Sequence, residues 1–519
     1  MDRVSRKATF LLHSFFRHDF KASITVFFVA LPLCLGVSLA AGAPVYSGLI
    51  AGIIGGIVVT AFSRSALSVS GPAAGLTAIT AAAITNLGGI EIFFLCVSVA
   101  GILQILLGVL KLGGFTHFIP SAVIKGMLAA IGIILISKQI PLLIGYDQPD
   151  FWTNELFNII TFRHGFEHIS DLYHHSSVGA VFIAAITFGI LFAWKKTIGK
   201  KLSFLPASFV MVLAGSVIAI LFHYYLPQFA LKETQFVSIP KHVFSNIQWP
   251  KLNALFTNVD IWKNAVVVCF VASLETLLSI TAIDKLDPYN RVTPQNRELI
   301  AQGTGNFFSG LLGGLPITAV IVRSSANAEA GAKTKLSSIT HGIWLLVTIL
   351  FATSVIHFIP YCVLAMILIQ TGYNLAKPKM IKGVFKQGRE QFLPFAVTIG
   401  AILFTDLLIG VLIGIAFAIY FLIKHTYRAG FTLKQKQEGH TTHYLIRLAL
   451  NVSFLNKKRL TEILDAIPEY SIVEVVGTDS VYIDNDVLEI FHDYKTKAHK
   501  KHIALTLTDI ADVQTIEIH

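Results

Sequence analysis

Two short apolar segments that cannot continue a helix occupy corresponding places in the chain: Ser70-Gly71-Pro72-Ala73-Ala74-Gly75 near its start and Gly313-Gly314-Leu315-Pro316-Ile317-Thr318-Ala319-Val320 past its middle. A helix that begins inside a membrane exposes free N–H groups and the positive end of its dipole, which a bilayer tolerates only where they line a cavity. Two such ends aimed at one point would hold an anion. Pro72 suits a first helical turn, where its missing N–H is not needed and its φ is already helical, leaving Ala73, Ala74 and Gly75 to offer backbone donors. Ala319, Val320 and Ile321 are expected to do the same in the second segment. A single Gly-Pro pair would read as a packed kink; two in symmetric positions read as a binding site.

Two charges stand near these segments. Glu275 lies in the middle of an otherwise apolar stretch, where a carboxylate is costly and normally faces a cavity or a partner. Removal from water disfavours the charged form of a carboxyl, so Glu275 is a candidate to take up and release a proton. It can instead pair with a cation or cap the second half-helix. Arg323, shortly after that half-helix begins, raises the local anion potential if it approaches the substrate. The alternatives are a pair with Glu275 or a side chain facing the cytoplasm, with Asn327 and Glu329 near enough to anchor it.

The elements that must position these residues are membrane spans. The chain of 519 residues is 54% hydrophobic and 14% charged, with a mean hydropathy of +0.68, which makes it an integral membrane protein. Residues 1–21 are polar and basic without an apolar core or cleavage site, so no removed signal peptide is expected. Fourteen apolar windows follow, at about 22–41, 45–62, 68–86, 91–111, 119–140, 177–195, 204–225, 263–283, 297–313, 316–330, 336–356, 359–374, 393–409 and 410–426. The interrupted windows, 68–86 and 316–330, are third in the first seven and third in the second seven. That arrangement predicts a mainly α, polytopic protein with a seven-plus-seven inverted repeat, its two broken helices meeting by their N-termini near the midplane.

Loop charge sets the orientation. Basic residues crowd the amino terminus (Arg3, Arg6, Lys7, Arg17, Lys21), the 195–201 loop (Lys195, Lys196, Lys200, Lys201) and the 374–392 loop (Lys377, Lys379, Lys382, Lys386, Arg389). The positive-inside rule puts all three in the cytoplasm, and with fourteen spans both ends lie there. The formal charge of +11 is then topology and attraction to the membrane surface, and nucleic acid is not an expected partner.

The last ninety or so residues change character. From Thr442 apolar and polar residues alternate, then come a helical stretch 456–467, a buried-looking strand 471–476, a second helix 486–497 and a strand 503–507. This predicts a small cytoplasmic α/β domain.

These residues resemble the SulP anion transporters, related to the animal SLC26 proteins, with a carboxy-terminal STAS domain. The resemblance covers nearly the whole chain and rests on Ala30-Leu31-Pro32, Val69-Ser70-Gly71-Pro72-Ala73-Ala74-Gly75-Leu76, Ala272-Ser273-Leu274-Glu275-Thr276-Leu277-Leu278-Ser279, and Gly313-Gly314-Leu315-Pro316 through Arg323-Ser324-Ser325-Ala326-Asn327. It implies domains at 1–21 (cytoplasmic segment), 22–427 (anion transporter domain) and 438–519 (STAS-like domain). It also implies a core domain carrying the anion between the third and tenth half-helices, in an elevator-like movement against a gate domain of spans five to seven and twelve to fourteen. The family moves sulfate, bicarbonate, chloride or dicarboxylates by proton symport, sodium symport or exchange, and Ala319, Val320 and Ile321 match its anion-contacting positions. An arginine near the cavity is a family feature at the place of Arg323. In sodium-coupled members the acidic residue of the eighth span joins hydroxyl oxygens to hold the cation; Ser279 matches one such position, but Ile321 stands at another and has no oxygen. Proton coupling through Glu275 is therefore preferred over sodium.

The expected reading is a proton-coupled symporter of inorganic anions, of the sulfate or bicarbonate class, in the cell membrane and as a homodimer. Its alternatives are a sodium-coupled bicarbonate symporter, an anion exchanger or channel, and a nucleobase transporter of the same plan. The last would want a side chain to hydrogen-bond the base, which the Ala/Val/Ile wall does not offer. No nucleophile elbow, Walker loop, HExxH or dinucleotide fingerprint occurs in a credible context, so neither an enzyme nor a cofactor is expected. Cys34, Cys96, Cys269 and Cys362 are scattered, and His164, His168, His174 and His175 read as solvated, so no metal is expected. In the tail, Asn485 stands where phosphorylated STAS domains carry serine, and Asp484 and Asp486 read as helix caps.

Overall fold

The computed structural model describes residues 14–146, 176–194, 205–240, 243–245, 247–405, 407–438 and 441–511. The four histidines of the 164–175 region and the lysines at 195–201 lie outside them. Contacts divide the chain into two units, residues 1–387 with 395–411 and residues 388–394 with 412–519.

In the first unit and the helix that leaves it, every apolar window receives a helix: α1 Phe20–Ala40, α2 Val45–Ile54, α3 Thr77–Leu87, α4 Ile90–Val109, α5 Ser121–Leu143, α6 Val178–Ala193, α7 Ala207–Tyr225, α8 Asp260–Asp284, α9 Gln295–Leu311, α10 Ile321–Glu329, α11 Leu336–Phe351, α12 Tyr361–Leu375, α13 Arg389–Phe404 and α14 Leu407–Ala429. Among the described residues, seven helical stretches are long and apolar enough to cross a membrane. The burial pattern is that of a lipid-soluble body. Phe182, Phe188 and Phe192 on α6 and Leu213, Val217 and Leu221 on α7 point outward, while Gln104, Glu298, Gln302 and Asn306 are fully buried. The break expected at 409 falls earlier, between Phe404 and Leu407.

Where lipid supplies no hydrophobic drive between helices, close backbone approach does the work. Gly101 of α4 meets Gly303 of α9, Gly56 beyond α2 meets Gly342 of α11, and Gly132 of α5 meets Gly372 of α12. Exchanging the first seven helices for the second seven turns the first contact into the second and the third into itself. Single-sequence periodicity carries no such signal.

Two three-residue strands interrupt the helices, β1 Ser70–Pro72 and β2 Ile317–Ala319. The second unit is built on a four-stranded sheet, β3 Phe431–Glu438, β4 Thr441–Leu448, β5 Ile472–Val476 and β6 Ala504–Thr508, in that order across the sheet. β3 and β4 are antiparallel and the other pairs parallel. Helices α15 Lys457–Asp465 and α16 Asn485–Lys500 cover it, with Leu460, Leu464, Val487 and Phe491 packed against Ile446, Val473 and Val475. The sheet starts earlier than the expected domain boundary at 438, since Phe431 is already in this core. Beyond Leu433, β3 is Lys-Gln-Lys-Gln-Glu on an edge, a pattern that hides a strand from hydropathy. Asp484 caps α16 by accepting Asp486 N–H at 3.2 Å, and Asp486 pairs with Lys457 at 3.5 Å.

The turn between α8 and α9 holds the two helices that flank the strands. Asp287 accepts from Arg291 Nε at 2.6 Å and Nη2 at 3.1 Å and from Tyr289 N–H at 2.9 Å; Asp284 accepts Thr293 N–H and Oγ1 at 2.7 Å each. Burial alone would raise the Asp287 carboxyl, but the Arg291 guanidinium and the backbone donors hold it below its ordinary value. A depressed folded value gives stability that is complete above the unfolded value of about 3.9 and is lost as pH falls through the folded one. Asp287→Asn is therefore expected to lower the melting temperature of the purified protein at neutral pH, and the gap to the parent to close as acid protonates the parent's Asp287, below the ordinary carboxylate range. A gap that persists unchanged in acid would contradict this role.

Candidate functional site

β1 and β2 pair antiparallel with Ser70 opposite Ala319, Gly71 opposite Thr318 and Pro72 opposite Ile317. The two interrupted segments therefore meet directly. Each leaves the ribbon into a helix start: β1 into a 3-10 turn Ala74–Leu76 and α3, β2 into α10 through Val320.

Side chains complete the ribbon where its own backbone cannot. Asn306 Oδ1 accepts Ile317 N–H at 2.6 Å and its Nδ2 donates to Ile317 O at 3.0 Å, so the residue opposite Pro72 asks nothing of it. Ala319 N–H goes to Thr276 Oγ1 at 3.3 Å, and Val320 N–H to Val69 O at 3.1 Å. Gln302 Nε2 donates to Ser70 Oγ at 2.7 Å and to Glu298 Oε1 at 3.0 Å, and Ser63 Oγ donates to Glu298 Oε2 at 2.6 Å. These are the partners a dry interior demands for polar groups.

Three expectations change. Pro72 ends the strand and does not open the helix, because its register position needs no N–H. Ala319 and Val320 have spent their donors on Thr276 and Val69, so the free donors of the second segment begin at Ile321 and continue through Val322 and Arg323, ahead of the first intrahelical bond from Ser324 N to Val320 O at 3.0 Å. The side chains of Ile321 and Val322 are exposed. On the first side Leu76 N–H makes the first bond, to Ala73 O, and Ala73, Ala74 and Gly75 precede it.

Glu275 reaches the first of these helix starts. A methyl placed on Gly75 would stand 2.8 Å from both carboxylate oxygens, so the absence of a Cβ is what admits the carboxylate. Glu275 Oε2 is shut from solvent and makes no hydrogen bond among the described residues. The carboxylate thus lies against the third half-helix, where the alternative had placed it on the tenth. Ser279 is buried on the same helix one turn further along.

Arg323 is fully buried. Its Nη2 lies 3.4 Å from Pro72 O and 3.4 Å from Cys34 Sγ, and a side chain at Gly71 would occupy the place of the guanidinium. It makes no hydrogen bond or ion pair with Glu275 among the described residues and is shut from solvent, and it braces the ribbon from α10. Asn327 does not anchor it; Asn327 Nδ2 donates to Leu67 O at 3.0 Å. Nε and Nη1 of Arg323 make no hydrogen bond among the described residues.

Sequence reasoning missed Thr276, Glu298, Gln302 and Asn306. A signal was present: Glu298, Gln302 and Asn306 stand four apart and so share one helix face within the apolar window at about 297–313.

The model of the sulfate permease family matches residues 16–398. YvdB of Bacillus subtilis (strain 168) is 28% identical over 426 residues, 82% of this chain and 76% of that protein. The transmembrane domain of a cyanobacterium bicarbonate transporter, BicA, is similar in structure with a TM-score of 0.63 at 25% identity, over 78% of this chain and 97% of that one. The anion transporter Slc26a9 of the mouse, in its inward-facing state, gives a TM-score of 0.73 over 95% of this chain and 85% of that one; at 14% identity this shows the fold alone.

Gly75→Ala is expected to displace Glu275 and to weaken oxyanion binding by about tenfold or more, read as anion-dependent thermal stabilisation. Gly89→Ala, in open space at extended backbone, is the control and leaves that stabilisation unchanged. Equal behaviour of the two variants would remove Gly75 from the site.

Proposed function

The chain belongs to the sulfate permease family, and from that premise we propose that it carries an oxyanion of the sulfate or bicarbonate class across the cell membrane in symport with a proton. It is a transporter and not an enzyme. The observation that carries the reading is the contact of the Glu275 carboxylate with Gly75 at one of two helix starts joined by the β1–β2 ribbon.

In this reading the N–H groups of Ala73, Ala74 and Gly75 on one side and of Ile321 and Val322 on the other receive the anion, with Ala319 and Val320 holding the second helix start in place. Arg323 adds positive potential from behind the ribbon. An anion and a carboxylate at the same helix start repel, so a bound anion favours the protonated Glu275 and a protonated Glu275 favours the bound anion. That reciprocity is the physical content of symport. Ser279 remains within a turn of Glu275 as a polar neighbour. Sodium coupling is the second reading; the exposed Ile321 side chain and the engagement of Thr276 Oγ1 with Ala319 N–H argue against a ring of oxygens there.

The fourteen helices form the seven-plus-seven inverted repeat of a transporter domain, with a core that moves elevator-like against a gate of α5–α7 and α12–α14. The glycine contacts that exchange between the halves support this plan. Both termini are cytoplasmic, the protein is a homodimer, and residues from Phe431 onward form its STAS-like domain. Asn485 opens α16 in that domain and has no hydroxyl to phosphorylate.

The test is uptake of labelled sulfate and bicarbonate into proteoliposomes under imposed proton and sodium gradients, applied separately. Acid outside is expected to drive accumulation of one of these anions, and Glu275→Gln to reduce it to the level without a gradient while the anion still exchanges. Accumulation driven by sodium alone, or indifferent to both gradients, overturns the coupling.

A further inference from the structure

The short helix Pro378–Lys386, between α12 and α13, sorts its side chains cleanly. At about 100° per residue, Lys379, Lys382 and Lys386 fall within an arc of about 60°, and Met380, Ile381, Val384 and Phe385 lie on the opposite side. All three lysines and Lys377 at the N-cap are exposed, and none of them has an acidic partner among the described residues. Val384 is buried at 1% exposure, whereas Phe385 is 66% exposed. From residue 330 to residue 389 the chain contains no Asp or Glu.

Nine residues make a rod of about 14 Å, less than half of the roughly 30 Å needed to cross the hydrocarbon layer. Flanked by membrane helices, an amphipathic rod of this length lies along the boundary, with its apolar side against acyl chains and its lysines among headgroups. The positive-inside rule accounts for lysines anywhere in this loop. It does not account for their gathering on one helix face opposite the apolar one, in a stretch cleared of acids; a facing layer of negative charge does.

We propose that Pro378–Lys386 is a binding site for anionic phospholipid headgroups, held by Lys379, Lys382 and Lys386 while Phe385 inserts beside the acyl chains. The source of the phosphate is the bilayer, because the apolar face of the helix has no role in binding a free ion.

The test uses the full-length protein with Phe385→Trp, reconstituted in phosphatidylcholine containing phosphatidylglycerol, with the added tryptophan read as the difference from the parent. Brominated phosphatidylglycerol is expected to quench it at least about twofold more than brominated phosphatidylcholine at equal content, as headgroup attraction enriches the anionic lipid around the helix. Changing all three lysines to Gln removes the excess, and changing all three to Arg keeps it, provided each protein is monodisperse and melts as the parent does. Should the Gln protein fail that check, Lys382→Gln alone is expected to reduce the excess. Equal quenching by both lipids, an excess that survives the Gln changes, or an excess abolished by millimolar inorganic phosphate would each overturn the proposal, the last by showing a site for small anions.

Discussion

A backbone N–H or C=O removed from water must find a partner within the protein, and an interrupted helix inside a membrane creates several that have none. The β1–β2 ribbon answers this constraint. Gly71 and Thr318 pair within it, and the outward-facing groups of Ile317 and Ala319 are taken by Asn306 and Thr276. The first turns of the two helices that leave the ribbon keep N–H groups with no partner inside the helix. A structure that satisfied those groups internally would have no affinity to offer an anion; one that left more of them open would not be stable in lipid.

The helices around the ribbon are arranged to serve it. α8 contributes Thr276 to one side and Glu275 to the first helix start, and α9 contributes the stripe of Glu298, Gln302 and Asn306. The turn that joins these two helices is locked by Asp284 and Asp287, so supports on neighbouring helices keep a common register. Arg323 lies on the ribbon at Pro72 O, with two nitrogens free of hydrogen bonds among the described residues, so a buried positive charge stands close to the helix starts. In the proposed reading, a carboxyl that gains and loses a proton near a guanidinium that keeps its charge makes this place electrostatically asymmetric, so that anion occupancy responds to protonation.

The positions of the two interruptions, the intrusion of Glu275 and Arg323 into apolar stretches beside them and the order of strands and helices in the tail were legible in the sequence, because each departs from its surroundings in polarity or in helix compatibility. The identity of the donors was less so. Pro72 reads locally as a helix opener, and only the pairing of Ile317 with Asn306 makes it a strand residue; Val320 reads as a donor until Val69 is seen to take its N–H. Those are facts about partners more than two hundred residues away in the chain, and no local pattern carries them. Gly75 reads in the sequence as a backbone donor, whereas its missing side chain also admits the carboxylate of Glu275 beside it. β3 was hidden by its polar edge, although Phe431 marked where it begins.

The central claim is that an oxyanion sits between the two helix starts. A density map of the protein equilibrated with selenate, recorded with anomalous scattering from selenium, tests it most directly. The account predicts one strong peak within hydrogen-bond reach of the backbone at Gly75 and Ile321, on the open side of the ribbon. A peak elsewhere with none at this position, or both segments running as unbroken helices, would contradict it.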